Sequence, residues 1–222
     1  METRSQGFRD RTLAQFVDDL ASDAPVPGGG SASAVAASLG AALVAMVAAL
    51  SAGRPRYAEH AAVHEAAGAR GRELADRFLT LADRDADAYA DFAAVLKMPK
   101  ETEAEKLART TALRAAARIA AEVPLACVEA CRELVVAAEM LAGRSNANAA
   151  SDLSVASLLT EAAAKGAAAN VLVNLPSVGD DAYASEMTTR VESLLADVVS
   201  ITSSIRAVVA SGVARSALPM DA

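Results

Sequence analysis

The stretch SASAVAASLGAALVAMVAALSA, residues 31–52, decides the reading of the fold. It contains no charged residue and is mostly Ala and Ser, with a few larger side chains such as Leu39, Leu43, Met46 and Leu50. Alanine is the best helix former and a poor strand residue, so the stretch reads as a helix. It is long enough to span a bilayer. Yet the large residues that favour insertion are few and no aromatic belt flanks it. The expectation is a helix buried on all sides by protein, in a chain that enters no membrane. Small side chains leave little between neighbouring backbones, so the core they imply is a tight helical bundle.

Composition extends that reading to the whole chain. Of 222 residues 53% are apolar, enough for a sizeable core, but only 3% are aromatic, so alanine dominates the packing. A net charge of −7 excludes a non-specific nucleic-acid surface, which needs a basic field. Met1 to Asp19 carries several charges and no apolar run, so no signal peptide is read there. Cys127 and Cys131 sit four apart in a helical stretch, which does not suit an ordinary disulfide. The pair reads as two small buried groups in a reducing compartment, the cytoplasm. No further cysteines exist to build a zinc site.

Working outward, Thr12-Leu13-Ala14-Gln15 is a capping box opening a short helix with the stripe Leu13, Phe16, Val17, Leu20. Asp23 to Gly30 reads as a Pro/Gly loop before the charge-free helix, which Gly53-Arg54-Pro55 ends. A long helix is expected from about Tyr57 to Leu96, with the stripe Leu74, Phe78, Leu81, Ala88, Phe92, Val95. Thr102 to Glu105 is a second capping box, starting a run to about Glu122. Pro124 kinks that helix or begins the next, which Gly143 stops. After the polar loop Arg144 to Asn148, a helix runs to about Leu175, with Pro176 to Asp180 as a turn. In the last helix Met187, Val191, Leu194, Val198, Ile201, Ile205 and Val208 keep a four-three rhythm, which means antiparallel bundle packing or a coiled-coil-like interface. With no strand signal and no linker, the fold is read as all-α: an antiparallel bundle of long Ala-rich helices in one domain.

Three places can carry chemistry. Pro27-Gly28-Gly29-Gly30-Ser31 is either a flexible turn for close packing or a floor that lets backbone N–H groups approach a ligand. It lacks the Gly-Lys-Ser/Thr ending of a P-loop. Asp85 stands where the stripe demands an apolar residue, between Leu81 and Ala88. It is a functional carboxylate or one half of a structural ion pair with Arg109, Arg114 or Arg118. Asn146, Asn148, Ser151 and Asp152 put four hydrogen-bonding side chains into seven positions, more than helix capping needs. Asn170 and Asn174 lie one turn apart on an Ala/Gly face. His60 and His64, four apart beside Glu59 and Glu65, read as a solvated face, and no metal site is expected.

The ordered set Pro27-Gly28-Gly29-Gly30-Ser31, Asp85-Ala86-Asp87-Ala88-Tyr89, Lys97-Met98-Pro99-Lys100, Asn146-Ala147-Asn148-Ala149-Ala150-Ser151-Asp152 and Gly166 to Asn170 with Asn174-Leu175 resembles the cyclodeaminase/cyclohydrolase family. The resemblance spans residues 10–212, leaving 1–9 and 213–222 as tails. One departure is Ser145, where the family often has Gly.

The resemblance implies a homodimer and a site for a one-carbon tetrahydrofolate, used without a metal or redox cofactor. It implies Asp85, Lys97 and the segment Asn146 to Asp152 as pocket residues; the chemistry of the cation then assigns Asp152 or Asp85 as base and cation stabiliser, with Lys97 steering a proton or holding a carbonyl. Pro27, Gly28, Gly29, Gly30, Ser31, Asn146, Asn148, Ser151 and Asn170 would bind the substrate, and Arg54, Arg56 or Arg144 would meet its glutamate tail. The reaction implied is hydrolysis of 5,10-methenyltetrahydrofolate to 10-formyltetrahydrofolate. The alternatives are release of ammonia from formiminotetrahydrofolate, and a non-catalytic folate-binding or structural helical dimer.

Overall fold

The computed structural model describes residues 7–218. Six α-helices account for most of them: α1 Leu13–Leu20, α2 Gly29–Ser51, α3 Ala61–Leu96, α4 Glu103–Leu141, α5 Ala150–Val178 and α6 Asp181–Ser211. Short 3₁₀ turns at Phe8–Asp10, Pro55–His60 and Ala147–Ala149 complete the described elements, and no strand occurs among the described residues. Helices α2, α3, α4 and α5 close a ring in which each touches the next, and α6 packs against α4 and α5. The buried side chains form one cluster that includes Val44 and Val47 of α2, Leu74 and Phe78 of α3, Leu134 of α4, Val171 of α5 and Ile205 of α6.

Both capping boxes form as their sequences demand. Thr12 and Gln15 exchange bonds at the start of α1, and Thr102 and Glu105 do so at the start of α4. Tertiary packing overrides two local signals. Helix α4 continues through Pro124 because Val123, Pro124 and Leu125 are all buried, and α5 continues through Pro176 to the left-handed Gly179. Tyr57 to His60 is a 3₁₀ turn rather than the start of α3. Of the α1 stripe only Phe16 is buried, while Leu13, Val17 and Leu20 are exposed.

Helix α2 is only partly covered by its own chain. It is long and apolar enough to cross a membrane by length and composition. Its inner faces pack on α3 and α5, but Leu39, Met46 and Leu50 lie on an uncovered side. Burial on all sides is therefore not met within one chain. Successive helices of the ring run antiparallel: Gly40 of α2 abuts Ala156 and Thr160 of α5, while Gly29 at its start faces Asn170.

Glu161 ties α5 to α6. Its carboxylate accepts from Lys165 Nζ at 2.7 Å, Arg206 Nη1 at 2.8 Å and Thr202 Oγ1 at 2.9 Å. The Lys165 bond above all, with Arg206 and Thr202, lowers its pKa to about 2. A depressed carboxylate contributes stability above its unfolded value and loses it as pH falls through the folded one. Glu161→Gln is expected to cost about 1–2 kcal/mol at neutral pH, a Tm drop of about 3–6 °C. The gap should narrow as pH falls from about 5 toward 2, which thermal denaturation of both proteins across that range checks.

Candidate active site

The three glycines are not a flexible loop. Gly28 is the N-cap of α2, with φ −121° and ψ −162°, and Gly29 and Gly30 lie in its first turn. None has a positive φ; the glycines that do are Gly53, Gly143, Gly179 and Gly212. Space explains Gly30. A Cβ there would collide with the Asp85 carboxylate, whereas one at Gly29 would make an ordinary 3.7 Å contact with Asn170.

Helix α3 delivers Asp85 to this point from its apolar stripe. Ser31 Oγ, fully buried, lies 3.0 Å from Asp85 Oδ2 and 3.1 Å from the Ala82 carbonyl, so its one proton serves either acceptor. The Ser31 backbone N–H also donates to Asp85. Burial raises the Asp85 pKa, and the two Ser31 bonds partly oppose it. The carboxylate also faces the positive end of the α2 dipole. No ion pair with Arg109, Arg114 or Arg118 forms: Arg109 donates to the Leu96 carbonyl, and Arg118 meets Asp180 at 3.5 Å. Of the two readings of Asp85, the structural ion pair is removed.

A cavity of about 320 Å³ opens over these groups. Gly28, Gly29, Gly30 and Asp85 form one wall, Ala88, Tyr89 and Phe92 continue along α3, and Asn170, Val173 and Asn174 come from α5. Asn170 Nδ2 donates to Gly166 O at 2.9 Å, and Asn174 Nδ2 to Ala120 O and Asn170 O at 3.0 and 2.8 Å. Their amide nitrogens are thereby occupied, and neither amide oxygen accepts a bond from a described residue. Tyr89 and Phe92 were not singled out as site residues from the sequence. The usable signal was their spacing, one and two turns beyond Asp85 on the same helix.

The other expected site residues lie elsewhere in the chain. Lys97 is the exposed C-cap of α3, outside the cavity lining. Asn146 sits at the far end of α2: its N–H donates to Ser51 Oγ at 2.8 Å and its Nδ2 to Leu50 O at 3.3 Å. Its Oδ1 caps the following turn by accepting the Asn148 N–H at 3.1 Å. Asn148 and Ser151 are exposed, and Asp152 is half-buried in the first turn of α5. The 23 residues of α2 put roughly 33 Å between this group and the Gly28–Asp85 wall. Within one chain the two groups do not share a pocket.

Two polar expectations are corrected. His60 and His64 are buried rather than solvated, at 4% and 3% exposure, and His64 Nε2 lies 2.9 Å from the Arg144 carbonyl. No cluster of metal-ligating side chains occurs among the described residues. Arg144 is buried and donates to the Ser216 and Met140 carbonyls, so it is not free to meet a substrate tail.

Residues 12–193 match the family model described as formiminotransferase-cyclodeaminase. The chain belongs to that family. A methenyltetrahydrofolate cyclohydrolase of Methylorubrum extorquens is 38% identical over 188 residues, covering 85% of this chain and 90% of the relative. The formimidoyltransferase-cyclodeaminase of Sus scrofa is 35% identical over 86% of this chain, which spans only 35% of that longer protein. The crystal structure of a formiminotetrahydrofolate cyclodeaminase from Thermotoga maritima superposes with a TM-score of 0.83 at 26% identity, over 91% of this chain and 98% of that one. In this chain the Gly30–Asp85 contact lies at one end of the ring of α2, α3, α4 and α5.

That contact can be tested by itself. Gly30→Ala is expected to keep the helical circular dichroism signal but lose about 1–3 kcal/mol, because the added methyl must push the Asp85 carboxylate aside. Adding Asp85→Ala should restore most of that loss. A double-mutant cycle by urea denaturation that shows simple additivity would contradict the contact.

Proposed function

We propose that the chain is a one-carbon tetrahydrofolate enzyme that hydrolyses 5,10-methenyltetrahydrofolate to 10-formyltetrahydrofolate. The observation that carries this reading is Asp85, half-buried at the α2 N-terminus and facing a cavity of folate-headgroup scale. The reacting carbon bridges N5 and N10 in a cationic amidinium. Water adds to it and gives up one proton, and the C–N5 bond of the adduct then breaks as the remaining hydroxyl proton is transferred to N5, leaving the formyl group on N10. A carboxylate beside the cation stabilises it and takes the proton from water. The raised pKa of Asp85 makes it a better proton acceptor than an exposed aspartate.

The backbone donors of Gly28 to Gly30 and the amide oxygens of Asn170 and Asn174 hold the pterin edge, and Tyr89 and Phe92 cover its flat face. Asn146, whose amide is engaged in its loop, and Lys97, exposed outside the cavity, take no part in this pocket, and within one chain Asn148, Ser151 and Asp152 lie roughly 33 Å from it. The chemistry requires no metal and no redox cofactor. The enzyme works as a cytoplasmic homodimer on a small soluble substrate, away from membranes and nucleic acids. The cyclohydrolase relative matches nearly end to end, which favours hydrolysis. The 0.83 superposition on the Thermotoga cyclodeaminase supports ammonia release from formiminotetrahydrofolate as the second reading.

Methenyltetrahydrofolate absorbs in the near ultraviolet, so its decay is followed directly. Acceleration over the spontaneous rate at neutral pH is expected. No acceleration, with ammonia released from 5-formiminotetrahydrofolate instead, replaces the first reading by the second. Asp85→Asn is expected to lower the rate by about a hundredfold or more. The same variant should raise Tm at neutral pH, where the buried charge is unfavourable, and the gain should vanish below about pH 4, where the wild-type carboxyl is protonated.

A further inference from the structure

Cross-helix bonds set the levels of the ring. Ser31 of α2 meets the Ala82 carbonyl and Ser38 the Ala75 carbonyl, so α2 starts beside Asp85 and runs away from the C-terminus of α3. Helix α3 continues past Asp85 to Leu96, roughly 16 Å further, with no α2 beside it. Helix α4 runs back along it: Arg109 meets Leu96, and Glu133 meets Arg77. Helix α5 ends at Val178, where Gly179 abuts Arg114. Beyond the cavity, α3 and α4 therefore form an open trough.

The trough begins apolar and ends basic. Tyr89 and Phe92 carry the cavity lining along α3, and Leu96 follows Phe92 by one turn. On α4, Ala120 lines the cavity. Arg109 stands roughly 16 Å from it along the helix axis and about 20° around it, so both lie on one face. The chain as a whole carries a charge of −7, yet residues 97–118 hold six basic side chains and three acidic ones. Two of those acids are committed: Glu103 pairs with Lys106, and Glu105 accepts the Thr102 N–H.

Arg109 is held in place without being neutralised. Its Nη2 donates to Leu96 O at 3.2 Å, at the C-terminus of α3. Its Nε is buried and has no partner among the described residues, and no described carboxylate pairs with the guanidinium. A guanidinium has five N–H donors. A cap on α3 accounts for one bond, but not for a buried N–H left unpaired. The group that best fits such a fork is a carboxylate.

We propose that Arg109 is a specificity-determining residue that binds the carboxylates of a glutamate tail laid along the α3–α4 trough. This role of Arg109 rests on the folate reading above. With the pterin edge at Gly28 to Gly30 and Asn170, the aminobenzoyl ring lies against Phe92, and the dicarboxylate leaves the cavity where the trough turns basic. Further glutamates extend toward Lys97 and Lys100, both exposed. The arginines expected from the sequence do not serve this end. Arg144 donates to two carbonyls, and Arg54 and Arg56, past the far end of α2, lie roughly 33 Å from the cavity within one chain.

5,10-Methenyltetrahydropteroate, which lacks the tail, is compared with the triglutamate of methenyltetrahydrofolate. For the wild type its KM is expected to be about tenfold higher, at similar kcat. Equal KM values overturn the role of Arg109, whatever the variants do. Arg109→Gln keeps a donor for the Leu96 carbonyl and removes the charge. It should raise the triglutamate KM about ten- to a hundredfold, while kcat, the pteroate KM and Tm stay at wild-type values. Arg109→Lys should restore part of the loss. A loss equal for pteroate and triglutamate marks a purely structural arginine and overturns the role. Failure of the folate reading shows separately, as no turnover of either folate. Calorimetric titration with 4-aminobenzoyl-triglutamate then decides for Arg109. Binding to the wild type that weakens about tenfold in Arg109→Gln upholds the carboxylate site. Equal or absent binding overturns it.

Discussion

Helix α2 is approached on two sides more closely than a methyl group permits. A Cβ on Gly71 of α3 would lie 2.8 Å from Ala41 O and Ala45 N, and one on Gly40 would lie 2.9 Å from Thr160 Oγ1. Gly166 of α5 faces the Ser33 side chain, and Gly30 faces Asp85. Glycine inside a helix loses about 1 kcal/mol of helix propensity relative to alanine. The compensation is dispersion contact between backbones, which a core of alanines obtains only at short range. This close packing also makes the cavity wall. At ordinary helix separation the Asp85 carboxylate would sit in water. Here it is pressed under the first turn of α2, loses solvent, and takes its hydrogen bonds from Ser31.

Much of the fold was legible because its signals are local. The two capping boxes act over three residues, and the Met187–Val208 rhythm acts over one helix face; Met187, Val191, Val198 and Ile205 are buried. What was not legible depends on distant partners. Pro124 reads as a kink or as the start of a new helix, and one helix runs through it because the segment around it is enclosed by the core. His60 and His64 sit among glutamates in sequence, but the partner of His64 is a carbonyl eighty residues away, on a loop that no local pattern places there. Arg144 reads as a group for the substrate's glutamate tail until its two carbonyl acceptors are seen.

The candidate site divides along the same line. Asp85 was visible as a polar interruption in an apolar period, and the glycines as an excess over what a turn needs. The choice between ion pair and cavity acid for Asp85 required the positions of Arg109, Arg114 and Arg118, which only the helix packing supplies. Asn146 shows the opposite case. Its position in a polar cluster marked it as a ligand group, while its backbone N–H and amide nitrogen fasten the loop to the end of α2 and its amide oxygen caps the following turn. Asn148, Ser151 and Asp152 remain available to something outside the chain.

Helices α2 and α6 carry the same three-four rhythm, and charge separates their uses. Along α6 the stripe is flanked by Glu186, Arg190, Glu192, Asp197 and Arg206, several of them paired to α4 or α5. Those charges orient the helix: its apolar side goes to the core and its polar side to water. Helix α2 has no charge with which to choose. One stripe of it packs on α3 and α5, and the other is left bare by the same chain. The charge-free helix is therefore oriented by close contact alone: the missing side chains of Gly40, Gly71 and Gly166 fix which of its faces lies inside.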